Sequence, residues 1–393
     1  MSPSVIMLSW EYPPHIVGGL GRHVFHLSRA LSSKGIEVQV LTFTDGSSPS
    51  EEIVDGVRVM RVNPYSLRYP DFTSWIHGLN LLMVERAVRL RDFDLIHVHD
   101  WLTATSGIAL KHFMRKPLLA TIHSTELGRR GGSLKNEHER HIHDIEWLLS
   151  YEAWRVICCS RYMVSEVSRF LGCPPDKIVQ IPNGYAPDSF PKTATINRRD
   201  YARDDEKIVL YVGRLVYEKG PHLLLEAASK LRRGDLKFIF VGDGSMKPYL
   251  VDLSIRLGIS EKVYFLGHVP DDVLHALYRL ATVAIFPSLY EPFGIVALEA
   301  MGLGVPVIVS AVGGLDEIVQ HGHNGLKFHP GSSSALAETI NLLVDNPELC
   351  RRLAMNARES LGTFTWERAA DETIKLYELV LGEYKSGSWK PRV

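Results

Sequence analysis

The stretch Ile208-Val209-Leu210-Tyr211-Val212-Gly213-Arg214-Leu215-Val216-Tyr217-Glu218-Lys219-Gly220-Pro221 decides the architecture of this chain. Its first five residues are apolar or aromatic and read as a strand buried on both faces. Gly220-Pro221 then opens a helix over residues 221–231. The loop between them carries Arg214 and Lys219 at the strand's carboxyl end, where two cations and a helix N-terminus can converge on one diphosphate. A pair of solvated surface charges is the alternative reading.

The same strand, loop and helix unit recurs on both sides. Downstream, Phe238-Ile239-Phe240-Val241 runs into Gly242-Asp243-Gly244, residues 263–266 and 283–286 read as strands, and residues 305–310 complete the core set ahead of Gly313-Gly314. Upstream, Val5-Ile6-Met7-Leu8 is a buried strand, and a helix from about Arg22 places Val24, Leu27 and Leu31 at helical spacing before Lys34-Gly35 closes it. Residues 37–43 return as a strand, and further strands fall at 57–62, 95–99, 118–123, 156–159 and 178–181, with helices over 73–90 and 137–151. The polar stretch 186–206, with Pro187 and Pro191, is the linker candidate. Helical patterns at 334–344, 348–360 and 366–382 finish the chain, and a frayed tail is expected from Ser386. Alternation in both halves predicts an α/β protein of two doubly wound, Rossmann-like domains, 1–186 and 187–365, facing across a cleft. Ligand sites belong beyond the carboxyl ends of such strands.

Composition narrows the class. At 393 residues, with 45% hydrophobic and 23% charged residues, the chain exceeds one core and is not disordered. A net charge of −1 gives no support for a nucleic-acid partner. Cys158, Cys159, Cys173 and Cys350 have no zinc or redox spacing, which fits a reducing cytoplasm. No run reaches the ~18 apolar residues of a transmembrane segment, and peripheral membrane attachment is left open, as is the oligomeric state.

Ser288-Leu289-Tyr290-Glu291-Pro292-Phe293-Gly294-Ile295-Val296-Ala297-Leu298-Glu299-Ala300 places two carboxylates eight positions apart across a loop-to-helix junction. Pro292 disfavours helix at Glu291, and Gly294 precedes a helical run, so Glu291 is expected in the loop. Within one helix, eight steps of about 100° would leave the two carboxylates on adjoining faces, whereas the break lets both face one cleft. The free N–H groups near Gly294 can seat a diphosphate or a sugar.

Other sites carry two readings. Gly18-Gly19-Leu20-Gly21 is either a phosphate-approaching loop or a tight turn, and its spacing is not the dinucleotide fingerprint. His97-Val98-His99-Asp100 puts two histidines on one strand face, as a metal would need, but no second ligand cluster accompanies them. His99 and Asp100 read as a hydrogen-bonding pair near a substrate or as a structural turn. His123 ends a strand as a site residue or as a satisfied interior histidine. Glu137-His138-Glu139-Arg140-His141-Ile142-His143-Asp144 spreads its polar residues around a helix and reads as a solvated face.

Taken together, Trp10-Glu11-Tyr12-Pro13-Pro14 with Gly18-Gly19-Leu20-Gly21, His99-Asp100-Trp101, Thr121-Ile122-His123, Ile181-Pro182-Asn183-Gly184, Gly213-Arg214-Leu215 with Glu218-Lys219-Gly220, and Glu291 with Glu299 resemble the retaining nucleotide-sugar-dependent glycosyltransferases of the GT-B fold, family 4 and its glycogen and starch synthase relatives. The likeness runs nearly the whole length. It implies that Arg214 and Lys219 hold the donor diphosphate without a metal or other cofactor, and that Glu299 bonds the ribose. Glu291 and Phe293, with the amides of Gly294 and Ile295, would meet the sugar and diphosphate, and Gly18 and Gly19 would approach the diphosphate. His123 would lie by the sugar, while His99, Asp100 and Glu126 are acceptor-side candidates. A double displacement needs a carboxylate behind the anomeric carbon, for which Asp100 and Glu126 are possible; the resemblance implies instead front-face attack with retention, the departing phosphate taking the acceptor's proton. It also implies a closing helix over about 366–384 returning to the first domain, domain closure on the donor, and a base pocket lined by backbone near Phe265-Leu266-Gly267-His268.

Residues 121–163 most resemble the branch that builds α-1,4-glucans from ADP-glucose or UDP-glucose, so the expected partners are a nucleotide sugar and an oligo- or polysaccharide acceptor. Ile16 stands where glycogen and starch synthases carry lysine, two positions before the first glycine of the loop. The alternative is a lipid-linked or cell-surface glycan acceptor, which would use a basic first-domain surface drawn from Arg58, Arg61, Arg68, Arg86, Arg89 and Arg91.

Overall fold

A computed structural model describes residues 3–66, 68–90, 93–186 and 196–387. Pro187 and Pro191 of the linker candidate, Arg91 and the tail from Ser388 lie outside the described residues. The chain divides into two units, Met1–Gly184 together with Trp366–Val393, and Tyr185–Thr365.

The first unit is built on β1 (Ser4–Leu8), β2 (Glu37–Phe43), β3 (Glu51–Val54), β4 (Val57–Val62), β5 (Leu95–His99), β6 (Leu118–Ile122), β7 (Arg155–Cys158) and β8 (Ile178–Gln180). They lie in the order β3-β4-β2-β1-β5-β6-β7-β8, so the chain reverses its direction of growth between β1 and β5. Every pair is parallel except β3 with β4. β1, β5 and β6 are buried along their full length, as their unbroken apolar runs require of strands covered on both faces. β3 was not expected. It forms a hairpin through Asp55 and Gly56, both at positive φ (49° and 81°), and the Asp-Gly pair is the sequence signal that marks such a turn.

Two helix starts are earlier than their apolar spacing predicts, and side chains explain both. The helix Phe72–Ala87 is capped by Asp71, whose carboxylate accepts the Ser74 N–H at 2.7 Å. The helix Gly19–Ser33 begins three residues ahead of Arg22 because Glu11, from the preceding loop, reaches its N-terminus. The last helix, Trp366–Ser386, packs on Gly19–Ser33 and on the sheet, where Tyr377 Oη lies 2.7 Å from His97 Nδ1. Thr121 Oγ1 lies 2.7 Å from the other ring nitrogen, so His97 is a satisfied interior histidine.

The second unit is a six-stranded, all-parallel sheet of β9 (Lys207–Val212), β10 (Leu236–Val241), β11 (Val263–Gly267), β12 (Val283–Phe286), β13 (Val307–Ser310) and β14 (Leu326–Phe328). Their order is β11-β10-β9-β12-β13-β14, the nucleotide-binding doubly wound arrangement, with its switch point between β9 and β12. β14 corrects the expectation that residues 305–310 complete the sheet; at three residues around Lys327 it is too short to show a pattern. Tyr211, Phe238, Phe240, Ile285 and Leu224 fill the core between sheet and helices. No helix among the described residues is long and apolar enough to cross a membrane.

Burial holds His97 neutral, down at about 3 from the ordinary 6.5. The unfolded chain protonates this residue below pH 6.5 while the folded one does not, so stability is full above pH 6.5 and falls as pH drops towards 3. Thermal unfolding midpoints measured between pH 7.5 and 5 should therefore decline. His97→Gln, which keeps a hydrogen-bonding group but takes up no proton, should make that decline shallower; an equal slope in both proteins would contradict this origin.

Candidate active site

At the switch point of the second unit, the loops after β9 and β12 meet. Gly220 turns the first loop into the helix Pro221–Lys230 at φ +65°, and a Cβ there would lie 2.0 Å from the Pro287 carbonyl oxygen. Glycine alone allows that approach, and it brings Lys219 against the segment that follows β12. Two backbone bonds tie the loops further, from Leu289 N–H (2.8 Å) and Tyr290 N–H (3.1 Å) to the Glu218 carbonyl.

Glu291 lies outside any helix, as Pro292 requires, and is 7% exposed. Its two carboxylate oxygens accept from Lys219 Nζ at 2.8 and 2.7 Å, and Ser288 Oγ donates at 3.1 Å. Its backbone carbonyl accepts the Gly314 N–H at 2.8 Å, so the third glycine loop of this edge fixes the same residue. Gly294, at φ +112°, is the N-cap of the helix Ile295–Gly302, which carries Glu299, 5% exposed, in its second turn. The N–H groups of Ile295 and Val296 open that helix and have no carbonyl partner within it. Phe293 is buried and packs edge-on against Phe364 at 6.1 Å. Arg214 is exposed, and its guanidinium is 3.4 Å from Glu218. The structure thus brings Lys219, Glu291 and Gly294 together at the switch point, with Arg214 on its solvent side. Gly267, expected near the base, gives its carbonyl to the Gly242 N–H at 2.8 Å.

The first unit gathers its expected residues at its own switch point, beyond β1, β5 and β6, and shows what three of them contact. Gly18 was expected at a phosphate, but its N–H donates to Glu11 Oε2 at 2.8 Å, as do those of Val17 (2.9 Å) and Gly21 (3.2 Å). The chain's own carboxylate fills the helix N-terminus that an outside anion would seek. His99 and Asp100 do not bond to each other; both meet His123. Asp100 Oδ1 accepts the His123 N–H at 2.7 Å, and His99 Nδ1 lies 3.3 Å from His123 Nε2. Burial raises Asp100 to about 7. Glu126, offered as an acceptor-side residue or a carboxylate behind the anomeric carbon, is 1% exposed and held by Arg129 at 2.7 Å and Arg130 at 2.8 Å. Its own N–H in turn donates to both oxygens of buried Glu146.

The polar run at 137–144 is not wholly solvated. Glu139 is buried, accepts the Lys135 N–H at 2.6 Å and pairs with Arg130. Glu11 and Asn183 lie inside motifs quoted from the sequence and His23 two residues beyond the glycine loop, yet the contacts they make were not foreseen. All three are short-range neighbours only in space, and His23 is found on the buried face of Gly19–Ser33.

Residues 17–189 match the family described as Glycosyltransferase Family 4, and residues 193–360 match Glycosyl transferases group 1. An uncharacterised glycosyltransferase of Methanocaldococcus jannaschii is 39% identical over 387 residues, covering 96% of this chain and 98% of that one. The glycogen synthase of Mycobacterium tuberculosis is 36% identical, covering 95% of this chain and 94% of that one. Among solved structures, the sucrose-phosphate synthase of Thermosynechococcus elongatus superposes with a TM-score of 0.85 at 28% identity, over 97% of this chain and 99% of that one.

Replacing Gly220 tests the local construction. Gly220→Ala forces a Cβ against Pro287 in a left-handed backbone, and chemical denaturation should show a loss of roughly 1–3 kcal/mol; unchanged stability would mean the loop relaxes without strain. With its two Rossmann-like sheets, its switch-point loops and these relatives, the chain belongs to the family 4 glycosyltransferases of the GT-B fold, akin to the glycogen and starch synthases.

Proposed function

We propose that this glycosyltransferase moves glucose from ADP-glucose or UDP-glucose onto an α-1,4-glucan with retention of configuration. The observation that carries the reading is the Lys219–Glu291 pair at the β9–β12 switch point, beside Arg214 and the open N-terminus of Ile295–Gly302. A glucosyl donor breaks a bond that leaves negative charge on a diphosphate. Lys219 and Arg214 are the cations placed to take up that charge, and the amides of Gly294 and Ile295 add donors along the helix axis. Glu291, already in contact with Lys219, then turns to the hydroxyls of the transferring sugar, and Glu299 to the ribose. The acceptor hydroxyl attacks the anomeric carbon from the face the diphosphate leaves, and its proton passes to the departing phosphate oxygen. Cationic side chains and helix amides do this work, so the scheme calls for no metal or other cofactor.

Two findings support the glucan branch over a lipid-linked acceptor. The identity with a glycogen synthase extends along 95% of the chain rather than over the donor half alone. Four of the six arginines that would form a basic surface in the first unit are paired: Arg58 and Arg86 with Glu51, Arg61 with Glu52, and Arg89 with Glu85.

Incubating the protein with radiolabelled nucleotide sugars and glycogen, maltooligosaccharides or a lipid extract tests the reading. Label should enter glucan from ADP-glucose or UDP-glucose as α-linked product; label in lipid alone would overturn it. Arg214→Ala, Lys219→Ala and Glu291→Ala should each fold and lose at least ~10²-fold in turnover, the scale of a lost transition-state charge contact. Full activity in any one would remove that residue from the site.

A further inference from the structure

Six aromatic rings of the first unit meet at the carboxyl-end edge of its sheet. Trp10 and His15 come from the loop after β1, Phe43 ends β2, Tyr65 follows β4, and Phe72 and Trp75 lie in the first turn of the helix Phe72–Ala87. Phe43 is the hub. Trp10 and His15 lie nearly parallel to it, with centroids 6.5 and 5.2 Å away, and Trp75 meets it edge-on at 5.4 Å. Tyr65 contacts both Phe43 (6.2 Å) and Trp75 (5.6 Å), and Phe72 stacks on Trp75 at 5.8 Å with the planes 10° apart. Phe43 and Trp75 are buried, whereas Tyr65 is 57% and Phe72 49% exposed. Trp75 covers one face of Phe72, so the open face is the other, and both exposed rings rest on a packed aromatic floor. Two large aromatic residues left exposed against one buried indole, on the ligand edge of a doubly wound sheet, mark a surface kept for contact rather than for the core.

Three observations select a neutral sugar chain as the occupant. The face of a pyranose ring that carries its axial C–H bonds is flat and apolar, and it lies well on an open aromatic ring whose π face is negative. The polar groups beside the rings are suited to hydroxyls: the Asp45 carboxylate lies 3.3 Å from His15, the Asn63 side-chain carbonyl accepts the Tyr65 N–H at 3.0 Å, and Asp71 directly precedes Phe72. Against these two carboxylates stands the one guanidinium of Arg68 in the loop from Asn63 to Phe72, so the rim lacks the basic excess that an anionic headgroup needs. Finally, β2 and β1 lie between β4 and β5, which puts the Tyr65 end of the platform three strand spacings, roughly 14 Å, from the end of β5 where His99 and Asp100 sit. That span exceeds a disaccharide and fits a chain of several sugars.

We propose that Tyr65 and Phe72 form an acceptor subsite on the first unit, where glucose residues of an α-1,4-glucan stack while the end of the same chain is extended. This rests on the glucan reading above and deepens it, because a subsite so far from β5 makes long acceptors better than short ones. Trp75 and Phe43 are positioning residues, which hold the two exposed rings from behind.

Calorimetric titration of the full chain with maltoheptaose, without a donor, tests the subsite apart from transfer. The native chain should bind. Tyr65→Ala and Phe72→Ala should each bind about tenfold more weakly or worse, and Phe72→Tyr, which keeps the ring, should restore native affinity. Both alanine variants should melt with the native chain, since each residue is already half exposed. Trp147→Ala breaks another exposed stacked pair, Trp147 with Tyr151 (5.5 Å, 15°) on the Glu137–Glu152 helix, and should leave binding unchanged. In transfer assays, the ratio of kcat/KM for maltoheptaose to that for maltose should fall about tenfold in Tyr65→Ala and Phe72→Ala. No binding by the native chain, undiminished binding in both alanine variants, an equal loss in Trp147→Ala, or a loss of affinity for phosphatidylglycerol vesicles in place of glucan would overturn the subsite. Label entering lipid alone would overturn the glucan reading instead, and the titration would still decide the platform.

Discussion

The ion pair between Lys219 and Glu291 is the constraint around which the second unit is arranged. Glu291 is buried and Lys219 half-buried, so neither residue is an independent surface feature. Each comes from a separate loop, after β9 and after β12, and the pair forms because Gly220 permits contact with Pro287 and because Gly314 holds the Glu291 backbone. Parallel strands that diverge at a switch point leave a crevice, and here the crevice is closed at its base by opposite charges. A diphosphate entering it offers Lys219 a second anion.

The two units treat their helix N-termini oppositely. In the first, Glu11 accepts three amides at the start of Gly19–Ser33 and so satisfies that positive end from within the chain. In the second, the N-cap of Ile295–Gly302 is Gly294, which has no side chain to offer, and the neighbouring carboxylate of Glu291 is engaged by Lys219. An anionic ligand thus finds the second unit's helix end unfilled. This asymmetry gives a physical reason for assigning the donor diphosphate to the second unit, apart from any likeness to other proteins.

Much of this was legible in the sequence because it depends on local signals. Pro292 and Gly294 alone place Glu291 in a loop and Glu299 on a helix, and the apolar runs at 208–212 and 238–241 alone make buried parallel strands. What the sequence did not disclose depends on partners far along the chain. Glu11 filling the glycine loop, Glu126 locked between arginines, and Gly314 reaching the Glu291 carbonyl follow from tertiary approach rather than spacing. The pairing of His23 with Asn183 spans 160 positions and leaves no periodic trace. β3 is a different case, since its Asp55-Gly56 turn carries a local signal in the sequence, whereas the brevity of β14 leaves none.

The account's central claim is that Glu291 and the donor diphosphate are alternative partners for Lys219. Calorimetric binding of ADP or UDP to the native chain, Lys219→Ala and Glu291→Gln tests it most directly. The account predicts that Lys219→Ala weakens binding about tenfold or more, the ~1.4 kcal/mol or greater of a lost charge-assisted contact, while Glu291→Gln binds as tightly as the native chain or more so. Equal weakening in both variants, or none in Lys219→Ala, would contradict it.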